Sequence, residues 1–119
     1  MEYTIRTEEK FGPLTLIDAG ALADTCTDRW YNQTLCRVND SAVRLGVHQG
    51  EFHWHKHERE DELFYVIEGV LLVDLRDRSV ALQPKQGILV PRGVEHRTRA
   101  PSRTVILMVE AATAVPTGD

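Results

Sequence analysis

From residue 34 onward the chain is a series of short apolar or alternating runs separated by turn residues. The runs are rich in Val, Ile, Leu and aromatic residues, and turn signals recur roughly every eight to twelve residues. Residues 63–67 lead to Gly69, residues 70–75 follow at once, and the polar stretch 76–79 is a candidate hairpin turn. One short helix is expected near residues 19–28. The pattern predicts an all-β fold, a small antiparallel β-barrel whose closure protects the strand edges.

Composition narrows the class of protein and its partners. The 119 residues, 42% hydrophobic and 27% charged, predict one globular domain over residues 1–119. A net charge of −4 argues against a nucleic-acid partner, because phosphate binding needs a clustered basic surface. No run approaches the roughly 18–20 apolar residues of a membrane span. Residues 1–6 do not resemble a secretory signal, and Cys26 and Cys36 are too few for a disulfide framework, so we expect a cytoplasmic protein.

Four of the five histidines fall between residues 48 and 57. On an extended strand, His55 and His57 project from the same face, because side chains alternate with a period of two. The charged residues 58–61 predict a turn, and a hairpin at that point returns Glu62 to the side of the two imidazoles. This arrangement is suited to chelating one cation.

A third imidazole follows in the segment 87–96. Pro91 and Gly93 predict a tight turn between two strands, and His96 stands at the start of the next strand. Together with the two earlier histidines and Glu62, His96 gives a set of three nitrogen ligands and one oxygen ligand. Such a set suits a divalent ion of Fe, Mn, Zn, Ni, Co or Cu, and the sequence does not rank these metals.

These residues follow the order and approximate spacing of the two motifs of the cupin superfamily, which the sequence resembles. The first motif is matched by Gly50, His55, His57, Glu62 and Gly69, and the second by Gly87, Pro91, Gly93 and His96. The resemblance covers about residues 43–110 and leaves residues 1–42 as an N-terminal extension. It implies a jelly-roll-like double-stranded β-helix in which His55, His57, Glu62 and His96 bind one divalent transition metal ion. Asp61 is a rival for the position of Glu62.

The two remaining histidines of the cluster have different expectations. By the period of two, His53 shares the face of His55, and it is the candidate catalytic residue, an acid or base at the barrel mouth. The alternative for His53 is an exposed position at the rim. His48 precedes Gly50, and we expect it on the surface.

Two further segments carry expectations about the surface. Arg97 and Arg99 alternate away from His96, which predicts a solvated outer face, and Arg92 at the turn is an alternative site for an anionic substrate. The small and polar residues 111–119 predict a loose tail.

The resemblance implies a small-molecule metalloenzyme of the dioxygenase or isomerase/lyase type, in which the metal chelates substrate oxygens. The alternative is a non-catalytic cupin that binds a metal or a sugar-like ligand. Small cupins commonly pair, so a homodimer is expected, with residues 3–5 and 14–17 as candidate exchanged strands. A small molecule is the expected ligand, and neither nucleic acid nor a membrane is an expected partner.

Overall fold

The computed structural model describes residues 3–119, so the first two residues of the predicted N-terminal extension lie outside the described range. The elements in this range are β1 Thr4–Arg6, α1 Ala19–Thr25, β2 Trp30–Val38, β3 Ser41–Glu51, β4 Glu62–Glu68, β5 Leu71–Asp74, β6 Ser79–Leu82, β7 Gly87–Val90 and β8 Arg97–Ala111. The predicted helix is therefore present and ends three residues earlier than expected. Within the described residues no helix is long and apolar enough to cross a membrane.

The strands form one sheet, and the predicted all-β architecture is confirmed. Hydrogen-bonded neighbours follow the order β1-β2-β3-β8-β4-β7, with β5 paired to β8 and β6 paired to β5. Strand β8 is long enough to pair with β3 along one side and with β4 and β5 in succession along the other. Among the described residues the order does not return to its starting strand, so the sheet curls without closing into a hydrogen-bonded barrel.

Two apolar clusters lie on opposite faces of this sheet. The inner cluster consists of Phe64, Val66, Leu71, Val73, Leu82, Val90, Ile106 and Met108. The outer cluster packs α1 against β2 and β3 and consists of Ala23, Tyr31, Leu35, Leu45, Val47 and Val105. Along β8, Ile106 and Met108 belong to the inner cluster, whereas Val105 belongs to the outer cluster and Leu107 packs against it. The alternation of side chains along β8 therefore separates the two cores.

Of the two chain ends, the C-terminal one differs from expectation. Strand β1 pairs in parallel with β2 of the same chain, while residues 14–17 form no strand and leave Leu14 and Leu16 exposed. The loose tail predicted for residues 111–119 is wrong, because this segment folds back onto the sheet. Ala114 is buried, and the Asp119 backbone N–H donates to the carbonyl of Lys56 at 3.1 Å.

The expectation of a solvated outer face for Arg97 and Arg99 holds only in part, because their side chains are 27% and 31% exposed and both pair with Asp74. Both guanidinium groups donate to the buried carboxylate of Asp74, at 3.0 Å from Arg97 Nε and at 2.6 and 2.9 Å from Arg99 Nε and Nη2. The Ser79 hydroxyl donates to the same carboxylate at 2.6 Å. This Asp74 cluster joins β5, β6 and β8 where their ends meet.

Candidate metal centre

The candidate centre begins in the irregular segment between β3 and β4. The expected regular strand through residues 55–57 is not present, and an isolated β-bridge joins His55 to His96. Two backbone hydrogen bonds hold this bridge, from His55 N to His96 O at 3.0 Å and from His96 N to His55 O at 2.9 Å. Backbone pairing thus places the two imidazoles side by side, with ring centroids 4.4 Å apart.

The structure brings together the four residues that the sequence singled out. One ligand atom from each of His55, His57, Glu62 and His96 lies within 4.8 Å of every other. Glu62 Oε1 is 3.3 Å from His96 Nε2 and 3.5 Å from His57 Nε2. His57, Glu62 and His96 are buried, and His55 is partly buried. The group can hold a metal ion, because its atoms converge on one small volume.

The orientation of the imidazoles fits metal coordination. His55 Nδ1 lies 3.0 Å from the carbonyl of His53, and His96 Nδ1 lies 3.0 Å from the carbonyl of Val94. If each Nδ1–H donates to its carbonyl, each Nε2 keeps a free lone pair directed into the cluster, which is the usual arrangement of metal-binding histidines. Neither ring nitrogen of His57 has a hydrogen-bond partner among residues 3–119, although the ring is buried.

Burial and charge set the protonation of these groups. Burial lowers the pKa of His55 to about 4, so this imidazole is neutral and able to coordinate at neutral pH. For His57 burial acts in the same direction, but the Glu62 carboxylate outweighs it and the pKa is raised. Burial would raise the pKa of Glu62, yet the imidazoles of His57 and His96 lower it, so this carboxylate is ionised.

Sequence reasoning missed Arg44 and Glu110, which lie beside the centre. Arg44 Nη1 donates to Glu110 Oε1 at 2.6 Å, and both side chains are buried. Glu110 Oε2 is 4.0 Å from His57 Nε2. Burial and the charge of Glu62 raise the pKa of Glu110, while Arg44 opposes that rise. Two charged residues within apolar strands were the available signal, but their partnership spans 66 positions in the sequence.

The expectation that His48 lies on the surface is wrong. His48 is 3% exposed, and its ring stacks on Trp30 with centroids 3.9 Å apart and planes 7° apart. The two residues are opposite one another in the β2–β3 ladder. Burial lowers the pKa of His48 to about 3, so the imidazole is neutral.

His53 lies at the rim of the centre and is exposed. Its ring centroid is 5.3 Å from that of His55. His53 Nε2 lies 2.7 Å from the carbonyl of Thr117 in the C-terminal tail, and its Nδ1 lies 3.3 Å from the Tyr3 hydroxyl. His53 therefore ties both ends of the chain to the mouth of the centre.

Asp61, the rival of Glu62, points away from the cluster. Its Oδ1 accepts hydrogen bonds from the backbone N–H of Arg92 at 2.9 Å and from Arg92 Nε at 3.3 Å. Because the side chains of Arg92 and Asp61 are 64% and 43% exposed, this pair is a surface contact that holds the turn before His96. The same contact occupies Arg92, the alternative site for an anionic substrate.

Comparison with known proteins agrees with the geometry. A family model described as "Cupin domain" matches residues 42–110. The uncharacterized protein YdbB of Bacillus subtilis (strain 168) is 45% identical over 91 residues, which cover 76% of this chain and 80% of that protein.

Solved structures show the same fold. A cupin-2 domain containing protein from Shewanella frigidimarina superposes with a TM-score of 0.77 and 31% identity, covering 81% of this chain and 94% of that one. Protein NMB1881 from Neisseria meningitidis superposes with a TM-score of 0.73 and 23% identity, covering 81% of this chain and 98% of that one. KdgF from a Halomonas species superposes with a TM-score of 0.65 and 18% identity, covering 73% of this chain and 84% of that one.

Proposed function

This chain belongs to the cupin family, and on that premise we propose that it binds one divalent transition metal ion and acts with it on a small molecule. The proposed ligands are His55, His57, Glu62 and His96. One observation carries the proposal, namely that four potential ligand atoms lie within 4.8 Å of one another at one end of the sheet. The proposal places the reaction at that end, in the curled interior of the fold.

The donor set fits such an ion in number and kind. Three imidazoles and one carboxylate are borderline ligands that suit Fe, Mn, Co, Ni, Cu or Zn. Ligands about 2.1 Å from one ion lie at most about 4.2 Å apart, so the cluster needs only a small contraction to hold it. Four protein ligands leave open positions on a five- or six-coordinate ion, and a substrate requires at least one of them.

The proposed reaction is that of a dioxygenase or of an isomerase or lyase. A bound metal would supply Lewis-acid polarisation of substrate oxygens or, with a redox-active ion, activation of O2. Glu62 contributes a negative charge at the ligand cluster, and the backbone acceptors of His55 and His96 fix the rings that face the substrate. His53 is placed to take up or release a proton at the mouth, because its ring stands beside that of His55.

Metal binding is tested first, on protein purified without a metal-affinity tag. Elemental analysis should give about one transition metal ion per chain, directly or after reconstitution. The double variant His57→Ala with Glu62→Ala should lose this metal and keep the far-ultraviolet circular dichroism of the wild type. The matched control is Asp61→Ala, which removes a neighbouring carboxylate outside the cluster and should retain one ion. Metal-free wild type after reconstitution, or full occupancy in the double variant, contradicts the proposal.

The reaction class is tested with defined metals. A dioxygenase should consume O2 with a substrate when loaded with Fe(II) and should be inactive with Zn(II). An isomerase or lyase should turn over with Zn(II) or Mn(II) in the absence of O2. His53→Gln should lower kcat by about 100-fold if His53 is the general acid or base, while metal content stays at one ion per chain. Unchanged kcat would place His53 at the rim without a catalytic role.

A second candidate is a non-catalytic cupin that binds a metal or a sugar-like ligand. It is favoured by the small size of the cavity beside the cluster, about 20 Å³, and by the presence of Pro116, from the C-terminal segment, in the wall of that cavity. A ligand that binds the metal-loaded protein and is recovered chemically unchanged after prolonged incubation would support this candidate over an enzyme.

A further inference from the structure

A small cavity touches the ligand cluster on the side of β2 and β3. Its volume is about 20 Å³, which is close to the space needed for one water-sized group. His55 and Glu62 border it on one side, and His48 and Asn32 border it on the other. The cavity therefore connects the proposed metal position with two buried polar side chains that are not proposed ligands.

The ring of His48 is held in place by its surroundings. Trp30 stacks on one face, and the ring lies so close to Gly46 that a Cβ at that position would be 2.7 Å from His48 Nε2. Despite this fixed position, neither ring nitrogen of His48 has a hydrogen-bond partner in the described chain. A buried neutral imidazole offers one donor and one acceptor, and leaving both unmade is costly.

Asn32, on the neighbouring strand β2, is also a buried polar residue whose side chain is incompletely hydrogen-bonded. It is 7% exposed, and it lies opposite Gly46 in the β2–β3 ladder, directly beside the Trp30–His48 pair. Its Oδ1 has no hydrogen-bond partner within residues 3–119. His48 and Asn32 thus line one water-sized space, and together they hold one donor and two acceptors without a partner in the described chain.

We infer that His48 and Asn32 form a subsite for the hydroxyl group of a small hydroxycarboxylate ligand. The inference rests on the proposed function, because the carboxylate of the ligand would occupy the open position of the metal bound by the cluster. This subsite would distinguish a hydroxylated ligand from one that lacks the hydroxyl.

The chemistry of the lining selects a hydroxyl over other groups. A hydroxyl both donates and accepts, which matches an imidazole and an amide oxygen, whereas a second carboxylate only accepts. The other lining residues are apolar or aromatic, namely Trp30, Phe52, Phe64, Met108 and Pro116, so the lining offers no Lys or Arg to an anionic group. Three neutral imidazoles, one carboxylate and a divalent ion sum to one positive charge, which favours a single carboxylate at the metal.

The size of the cavity places a limit on the ligand. The space beside His48 suits an oxygen-sized group, and Pro116 of the C-terminal tail forms part of its wall. A two-carbon ligand is therefore the appropriate first probe. Glycolate and acetate form a matched pair, because they differ only in the hydroxyl group.

The experiment measures binding of glycolate and acetate to the cobalt(II)-loaded full chain by calorimetry, with the cobalt absorption spectrum reporting binding at the metal. His48→Phe keeps an aromatic ring against Trp30 and removes both nitrogens, and Asn32→Leu removes the amide. Each variant should raise the glycolate Kd by about tenfold, the loss expected for a buried hydrogen bond, and leave the acetate Kd within about twofold. Tyr31→Phe, which removes a polar atom from the opposite face of β2, is the control and should change neither constant.

The outcomes separate this inference from the proposed function. If the wild type binds no cobalt, the proposed function fails. If the wild type and both variants bind cobalt and all three have the same glycolate Kd, only the subsite is overturned. If the variants do not fold, the test uses the ratio of the acetate Kd to the glycolate Kd of the wild type. This ratio should exceed the same ratio for the cobalt aqua ion by at least about tenfold. An equal ratio overturns the subsite.

Discussion

Two buried polar clusters in this molecule differ in how completely their groups are paired. At the Asp74 cluster, one carboxylate accepts four hydrogen bonds from Arg97, Arg99 and Ser79. At the ligand cluster and along the same interior, polar atoms lack partners within the described chain; they belong to Asn32, Thr34, Arg44, His48, His57 and Glu110. The first cluster has the pairing expected of a structural contact, and the second has the unmet bonding capacity expected of a binding site.

The two central carboxylates make the contrast sharper. Hydrogen bonds from Arg99 are the main reason that the pKa of Asp74 lies well below its usual range, and these donors carry permanent charge. The pKa of Glu62 is lowered against strong burial by hydrogen bonds with His57, His96 and Glu110, and an imidazole must be neutral to bind a metal. Among the described residues the ion-pair partners of Glu62 are imidazoles, so a bound metal ion would balance its charge, whereas Asp74 already has two guanidinium partners.

Glu62→Gln should separate metal binding from stability. The variant should weaken metal binding at least 100-fold, about 2.7 kcal/mol, because a charged ligand is lost. The free energy of unfolding of the metal-free protein should change by less than about 1 kcal/mol, since removing a buried charge offsets the lost contacts. Metal titration and urea unfolding of the apoprotein measure the two effects. Metal affinity within tenfold of the wild type would show that Glu62 is not a ligand.

Asp74→Asn should give the opposite result. The free energy of unfolding should fall by about 2 kcal/mol, because two partly buried guanidinium groups lose their counter-charge. Metal content should stay at that of the wild type. Urea unfolding and elemental analysis measure both, with the exposed Asp77→Asn on the same hairpin as the control. Loss of metal from Asp74→Asn would mean that the two clusters are coupled and that the contrast between them is wrong.

The strands and the four candidate ligands could be predicted because their signals are local. Apolar runs between turn residues locate β4 and β5, and the placement of Glu62 at the start of β4 follows from the charged turn before it. The proximity of His55, His57 and His96 followed from motif spacing, although the backbone around His55 is a single bridge and not a strand.

The unpredicted features depend on contacts between distant parts of the chain. The burial of His48 requires the β2–β3 register that places it against Trp30, together with the space left by Gly46. The pairing of Asp74 with Arg99 requires β5 to lie beside β8. Alternation along a strand assigns a side chain to a face, but it does not show which face another element covers, so Arg99 was expected in solvent.

The stability that Asp74 contributes should depend on pH in a defined direction. The pKa of Asp74 is lowered in the folded state, so its contribution is present above the unfolded value of about 3.9 and is lost as the pH falls toward the folded value. The difference in unfolding free energy between the wild type and Asp74→Asn should be constant from pH 5 to 7 and at least about 1 kcal/mol smaller at pH 2.5. A difference that is the same at pH 2.5 and pH 6 would contradict the assignment of charged pairing to this cluster.

The smallest effect is expected where the tail meets the ligand cluster. Gly118 has φ +94°, and a Cβ there would lie 2.6 Å from the Cβ of His55, so Gly118→Ala should release the tail at a cost below about 1 kcal/mol in global stability. Hydrogen exchange of the Gly118 and Asp119 amides, which donate to Val115 and Lys56, should accelerate. Gly12→Ala is the control, because a Cβ at that position contacts nothing within 4 Å. Since the tail supplies only Pro116 to the cavity wall and no proposed ligand, Gly118→Ala should keep one metal ion per chain; lost metal would show that the tail helps to position His55.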